Sequence, residues 1–136
     1  MLTPEQQRIT DVFFLAFCVW REARGESRDA QVAVAYSITT RVSKGGWWGN
    51  TIASVVTAPL QYSSMTYAKD PQLAKYPTGD SWEACMDVAE DVLDAKVPNP
   101  VPDADSYYDT SIKAPNWAKL DQFVKQIGRI RFYAVR

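Results

Sequence analysis

A run of nine apolar residues, Val12–Trp20 (VFFLAFCVW), leads directly into WREARGE, Trp20–Glu26. The run reads as a buried helix, and Glu22 falls in its last turn. On a helical wheel Glu22 continues the stripe Leu15–Val19, so its side chain is expected to be half wrapped in core. The carbonyl end of a helix disfavours negative charge, and burial raises the pKa of a carboxyl group. Both effects favour the protonated acid. A glutamic acid that keeps its proton near neutral pH can protonate a glycosidic oxygen and later act as a base. Arg21 and Arg24 oppose this if they turn inward; they are expected to point outward or to hold Glu26. The plain alternative is a glutamate that ends a helix and pairs with an arginine. Spacing alone does not separate the two.

The rest of the composition narrows the chemistry. The 136 residues contain no histidine, which removes Ser-His-Asp triads, Cys-His pairs and histidine zinc sites. Cys18 and Cys85 are too few for a disulfide framework, and buried free thiols are expected. Neither has a metal-ligand companion, so no cofactor and no metal is implied. Net charge is close to neutral, which gives no reason to expect a nucleic-acid partner. The charge is uneven, however. Lys69–Asp109 holds ten acids and three bases, whereas Lys113–Arg136 holds six bases against Asp121. That basic end could face an anionic polymer, or be an ordinary solvated surface.

These residues need elements to position them. Helix one is expected over about Thr3–Arg24, with Thr3 as N-cap and Pro4 at the first helical position. Its second half is apolar all round, so it should be central. Ser27 should cap a second helix containing Arg28–Val42, broken by the glycines of Ser43–Asn50. A short helix, Thr51–Thr57, ends before Pro59. Leu60–Gly79 reads as a long irregular excursion, the kind of loop that carries function. Another helix follows at Ser81–Ala95, then the stiff connector Val97–Pro102. Strands are expected at Ser106–Tyr108 and within Gln126–Val135. The chain is thus mainly α with a small β element, an α+β domain spanning 1–136. Its one long apolar run is too short to cross a bilayer, which takes about 20 residues. No leader peptide is visible, so folding in a cytoplasm is expected. Among the tryptophans, Trp82 suits the core, while Trp47 and Trp48, set between glycines, are candidates for exposed sugar stacking.

Four blocks together resemble the cell wall hydrolase family typified by the spore cortex-lytic enzymes. WREARGESRDAQVAVAYSITTRV (Trp20–Val42) is similar to its opening E-(A/S)-R-G-E string and small-residue helix, with Gln31, Ala33, Val34, Ala35, Arg41 and Val42 matching and Thr40 in place of Asn. SVVTAPLQYS (Ser54–Ser63) resembles its V-V-x-x-x-x-Q-F-S block, with Tyr62 for Phe. Trp82–Thr110 and IGRIRFY (Ile127–Tyr133) resemble its later blocks. The resemblance implies a fold like the catalytic core of lysozymes and lytic transglycosylases, and cleavage of peptidoglycan glycan strands. It implies Glu22 as the catalytic acid and Gln61, Tyr62 and Ser63 as cleft residues, with Tyr107 or Tyr108 and Tyr133 nearby. Glu26 is the remaining site candidate, read as an internal clamp that pairs with Arg24 or caps helix two.

The chemistry implied is a single-carboxyl scheme yielding a 1,6-anhydro sugar. A lysozyme-type hydrolase needs a second carboxylate roughly 5–9 Å from the first, for which Glu26, Asp105 and Asp109 are available. A zinc amidase is disfavoured for want of histidines. A non-catalytic peptidoglycan-binding particle module is the alternative from another class. The expected setting is a monomeric phage endolysin, held in the host cytoplasm until lysis and without stable membrane insertion.

Overall fold

The computed structural model describes residues 1–59 and 61–136. Five helices are present among them: α1 (Pro4–Ala23), α2 (Arg28–Lys44), α3 (Ile52–Val56), α4 (Ser63–Thr66) and α5 (Gly79–Leu93). Three strands follow: β1 (Ser106–Asp109), β2 (Phe123–Ile127) and β3 (Ile130–Tyr133). The expected class, mainly helical with a small sheet, is the class observed.

Local chemistry sets the helix boundaries. The Thr3 hydroxyl accepts from the Gln6 amide while the Gln6 side chain accepts from the Thr3 amide, a complete capping box with Pro4 at the first turn. Ser27 caps α2 through the Ala30 amide. α1 is central and packs against α2, α3, α4 and α5. Leu15, Ala16, Cys18 and Val19 are fully buried, but Phe13 stays exposed on an aromatic cluster with Phe14, Phe17 and Trp82. The helix is therefore enclosed on most sides rather than all round. Cys18 and Cys85 are free and buried, as expected.

The excursion after Pro59 differs from a plain loop. Its expected first residue, Leu60, lies outside the described residues. Beyond it the chain forms α4 and a 3₁₀ turn, Pro71–Ala74, capped by Asp70. The C-terminal segment also differs. One strand was expected within Gln126–Val135, but the chain forms the hairpin β2–β3, with Gly128 at φ 57° in its two-residue turn. Glycine takes this left-handed conformation at no steric cost, which lets so short a connection reverse the chain. The sheet order is β1-β3-β2, antiparallel throughout. Ile130 and Phe132 of the middle strand belong to the same core as the helices.

Asp105 joins this sheet to α2. Its carboxylate accepts from Lys44 Nζ at 2.8 Å, from the amides of Val135 (2.9 Å) and Arg136 (3.0 Å), and from the Ser106 hydroxyl (2.9 Å). Burial alone would raise its pKa, but Lys44 and the three other donors outweigh burial and hold it below the ordinary value. A depressed carboxylate stabilises the fold above the unfolded-chain pKa, about 3.9, and that contribution is lost as pH falls through the lower folded value. Asp105→Asn should therefore cost about 3 kcal/mol at neutral pH, since it strands buried donors. Chemical denaturation at neutral and acid pH checks this: the deficit should shrink as the wild type is acidified.

Candidate active site

Glu22 sits where α1 ends and a cleft of about 690 Å³ opens between the helical body and the sheet. The connection to α2 is short, and Gln31 stabilises it. Its buried side-chain amide donates to the carbonyl of Ala23 at 3.1 Å, with longer contacts to those of Arg24 and Glu26 at 3.4 Å. The Ala23 carbonyl also accepts from the Glu26 amide at 3.0 Å, so backbone and side chain together close the turn out of α1.

The two arginines beside Glu22 leave its carboxyl group alone. Arg21 lies against the Phe17 ring and donates to the backbone carbonyls of Ser64 (3.2 Å) and Lys75 (3.3 Å), tying the excursion to α1. Arg24 folds back over Trp20 and donates to that residue's carbonyl at 3.0 Å. Glu26 does not pair with Arg24. It accepts from Arg129 in the β2–β3 turn at 3.0 Å, and Ser27 rather than Glu26 caps α2. Glu26 is a clamp between the helix end and the hairpin, outside the cleft lining; this corrects its assignment to the substrate site.

Both oxygens of Glu22 accept a hydrogen bond from a hydroxyl: Oε2 from Ser64 on α4 and Oε1 from Tyr107 on β1. Burial raises the Glu22 pKa most strongly. The Ser64 and Tyr107 hydroxyls pull it down, the charge of Asp70 pushes it up again and that of Arg41 lowers it, with a net rise above the ordinary carboxyl value. Tyr107 is itself pushed well above its usual value, by burial first and by Glu22 next, so it stays a donor.

The other expected site residues divide into two groups. Gln61, Ser63, Trp47 and Tyr108 line the cleft. Gln61 Oε1 accepts from Arg41 Nη1 at 3.1 Å, and the Ser63 hydroxyl donates to Asp70 at 2.9 Å. Tyr62 and Tyr133 do not reach the lining. Tyr62, 3% exposed, has its ring 5.0 Å from the Arg41 guanidinium, and its hydroxyl finds no partner among the described residues. Tyr133 is buried in an aromatic stack with Tyr108, Trp117 and Phe123, because its strand is the middle one. Both are supports beneath the cleft. Trp47 is 65% exposed, but Trp48 is 5% exposed and packs into the core, so only the first is a free stacking face. Trp117 also lines the cleft. Sequence reasoning missed Ser64 and Arg41 as site residues and did not choose between Tyr107 and Tyr108. Strand alternation separates the two tyrosines: Tyr107 reaches Glu22 and packs on Phe132, while Tyr108 stacks on Tyr133.

A carboxyl group whose pKa is raised by burial, in a cleft lined by tryptophan and tyrosine, suits acid catalysis on a polysaccharide. The comparisons agree. A family model described as Cell Wall Hydrolase matches residues 25–133, and the chain belongs to that family. The match begins just past Glu22. Over 119 residues the chain is 28% identical to the spore cortex-lytic enzyme of Bacillus subtilis (strain 168), an alignment covering 88% of this chain and 36% of that protein. The chain thus spans about a third of that relative's length. Two solved structures are similar at 26% identity. One is the catalytic domain of the germination-specific lytic transglycosylase SleB from Bacillus anthracis, with a TM-score of 0.67 covering 90% of this chain and 93% of the other. The second is the catalytic domain of the Bacillus cereus SleB protein, with a TM-score of 0.68 covering 92% and 90%.

A raised carboxyl pKa has a definite sign in stability. The folded state binds the Glu22 proton more tightly than the unfolded chain does, so this site favours folding at acid pH. The advantage is lost as pH rises through the folded pKa. Glu22→Gln should melt at or above the wild-type temperature at neutral pH, with the gap widening from acid to neutral; calorimetry across that range reads it. Tyr107→Phe and Ser64→Ala each remove a donor to the carboxylate. Each should move the alkaline limb of the activity profile to higher pH.

Proposed function

We propose that the chain, as a single catalytic domain over 1–136, is a peptidoglycan lytic transglycosylase with Glu22 as its general acid and base. The observation that carries this reading is that Glu22 meets no free second carboxylate among the described residues: Asp70, whose charge reaches it, lies outside the cleft lining and is held by the Ser63 hydroxyl and the Gln72 amide, both at 2.9 Å. Among the described residues that line the cleft, the other carboxylate is Asp109, and it is occupied by the Ser111 amide at 2.8 Å and by Arg129 at 3.6 Å. Asp105, the further candidate for a second carboxylate, is enclosed by four donors. A hydrolase of the lysozyme type wants a free second carboxylate. The name of the Bacillus anthracis relative, a lytic transglycosylase, supports the same reaction class.

In the scheme, the protonated Glu22 donates to the oxygen linking N-acetylmuramic acid to N-acetylglucosamine. The C1–O bond breaks with its electron pair going to that oxygen, and an oxocarbenium-like state forms on the muramic ring. The Glu22 carboxylate then accepts the proton of the muramic C6 hydroxyl as O6 bonds to C1. The product is a 1,6-anhydro end, no water is consumed, and Glu22 finishes protonated. Ser64 and Tyr107 steady the carboxylate between the two transfers, since a hydrogen bond to an ionised oxygen is stronger than one to a neutral oxygen. Trp47, Tyr108 and Trp117 offer flat faces to the sugars, and Gln61 and Ser63 offer polar contacts.

Mass spectrometry of muropeptides after digestion tests this directly. Anhydro-muramic ends are expected; reducing ends formed with water would instead make the enzyme a lysozyme-type hydrolase, and free stem peptides an amidase. Glu22→Gln should lower the rate by about 10²–10⁴-fold while still sedimenting with sacculi. Sacculus binding with no turbidity loss by the wild type would leave only a binding module. The proposed setting is a phage endolysin. Expressed in a Gram-negative cytoplasm, it should lyse cells only after the inner membrane is permeabilised.

A further inference from the structure

One end of the cleft carries positive charge that the scheme above does not use. Three cations crowd the indole of Trp48: Arg41 at 5.3 Å from the ring centroid, Arg136 at 5.8 Å and Lys44 at 5.9 Å. Lys44 is fully engaged within the fold. Its ammonium donates to the Asp105 carboxylate (2.8 Å) and to the carbonyls of Asp103 (2.9 Å) and Arg136. Arg41 and Arg136 are different, because neither forms an ion pair among the described residues.

Arg41 is 7% exposed and rigidly held. Its Nε donates to the Asp105 carbonyl and its Nη1 to Gln61, while the Trp48 and Tyr62 rings flank the guanidinium. Nη2 has no partner among the described residues, and the side chain lines the same cleft as Glu22. Arg136 stands on the rim, its guanidinium 4.8 Å from the exposed Trp47 ring, and its backbone amide is pinned to Asp105 at 3.0 Å. A nearly buried guanidinium without a counter-ion is costly, and its planar fork suits a carboxylate. Neutral sugar rings supply none. On a peptidoglycan strand the carboxylates belong to the branch on the muramic residue: to its stem peptide, or to the lactyl group once the peptide is removed.

We propose that the Arg41–Trp48–Arg136 end of the cleft is a subsite for a carboxylate on this muramic branch. The inference rests on the cleft being the glycan site. It makes charge, as well as stacking, set which bond of the strand lies against Glu22.

Soluble strands in three forms test it: intact, with carboxyl groups converted to methylamides, and stripped of peptide by an amidase. The wild type should cleave methylamide strands about tenfold less efficiently than intact ones, through KM. Arg136→Gln should show that loss already on intact strands and lose nothing further on methylamide strands, whereas Arg136→Lys should keep most of the discrimination. Stripped strands expose the lactyl carboxylate in place of the stem: efficient cleavage of them shows that this carboxylate also fills the subsite, and poor cleavage confines the contact to the stem peptide. Equal cleavage of intact and methylamide strands by the wild type overturns the proposal, as does an equal loss on both in Arg136→Gln. A second measurement is independent of catalysis. Free muramyl peptide should quench the tryptophan fluorescence of the Glu22→Gln protein in a saturable, salt-sensitive way that adding Arg136→Gln weakens. Absence of that binding overturns the subsite. Binding without any cleavage of strands by the wild type overturns the enzymatic reading and leaves the subsite standing.

Discussion

The site depends on a balance at one carboxyl group. Burial at the end of α1 makes the ionised form of Glu22 unfavourable, while two hydroxyl donors, Ser64 and Tyr107, partly restore it. Too little burial would leave an ordinary carboxylate with no proton to give. Too few donors would leave an acid unable to release its proton and stand briefly as an anion. Both requirements are met by bringing three distant chain segments to one point, since Ser64 is 42 residues and Tyr107 is 85 residues from Glu22.

Much of the surrounding structure holds those segments in place. Gln31 caps the end of α1, and Arg21 fastens α4 and the 3₁₀ turn to the helix that carries Glu22. Asp105, the residue before β1, ties the start of that strand to α2 and to the segment after β3. The Glu26–Arg129 pair closes the far side between helix end and hairpin, although so exposed an arginine adds little stability. Arg21, Asp105, Glu26 and Arg129 are thus spent on positioning, and among the described residues the Glu22 carboxyl group accepts hydrogen bonds from hydroxyls alone.

The sequence revealed the helices well, because their signals are local: capping residues, proline at the first turn and apolar residues at helical spacing. Glu22 was legible for the same reason, since its place on the wheel follows from its own helix. The hairpin is harder to see, because Gly128 alone marks its turn and the first strand, Phe123–Ile127, begins before the Gln126–Val135 stretch. The partners of Glu22 were hidden because they arrive by tertiary packing. Ser64 looks like any serine, and Tyr107 and Tyr108 differ only in the face of a strand whose register is set elsewhere. Arg41 sits in a small-residue helix where a surface role is the ordinary expectation, and only the folded chain shows it nearly buried between two aromatic rings. The resemblance to the family's motifs implies Tyr62 and Tyr133 at the cleft, yet their neighbours cover both.

The protonation of Glu22 can be measured on that side chain. Carbon-13 labelling of glutamate side chains, with Glu22→Gln to identify the resonance, gives a titration curve by NMR. Glu22 should titrate clearly above the ordinary glutamate value, and higher still in Tyr107→Phe. A midpoint at or below the ordinary glutamate value, unmoved by that substitution, would contradict it.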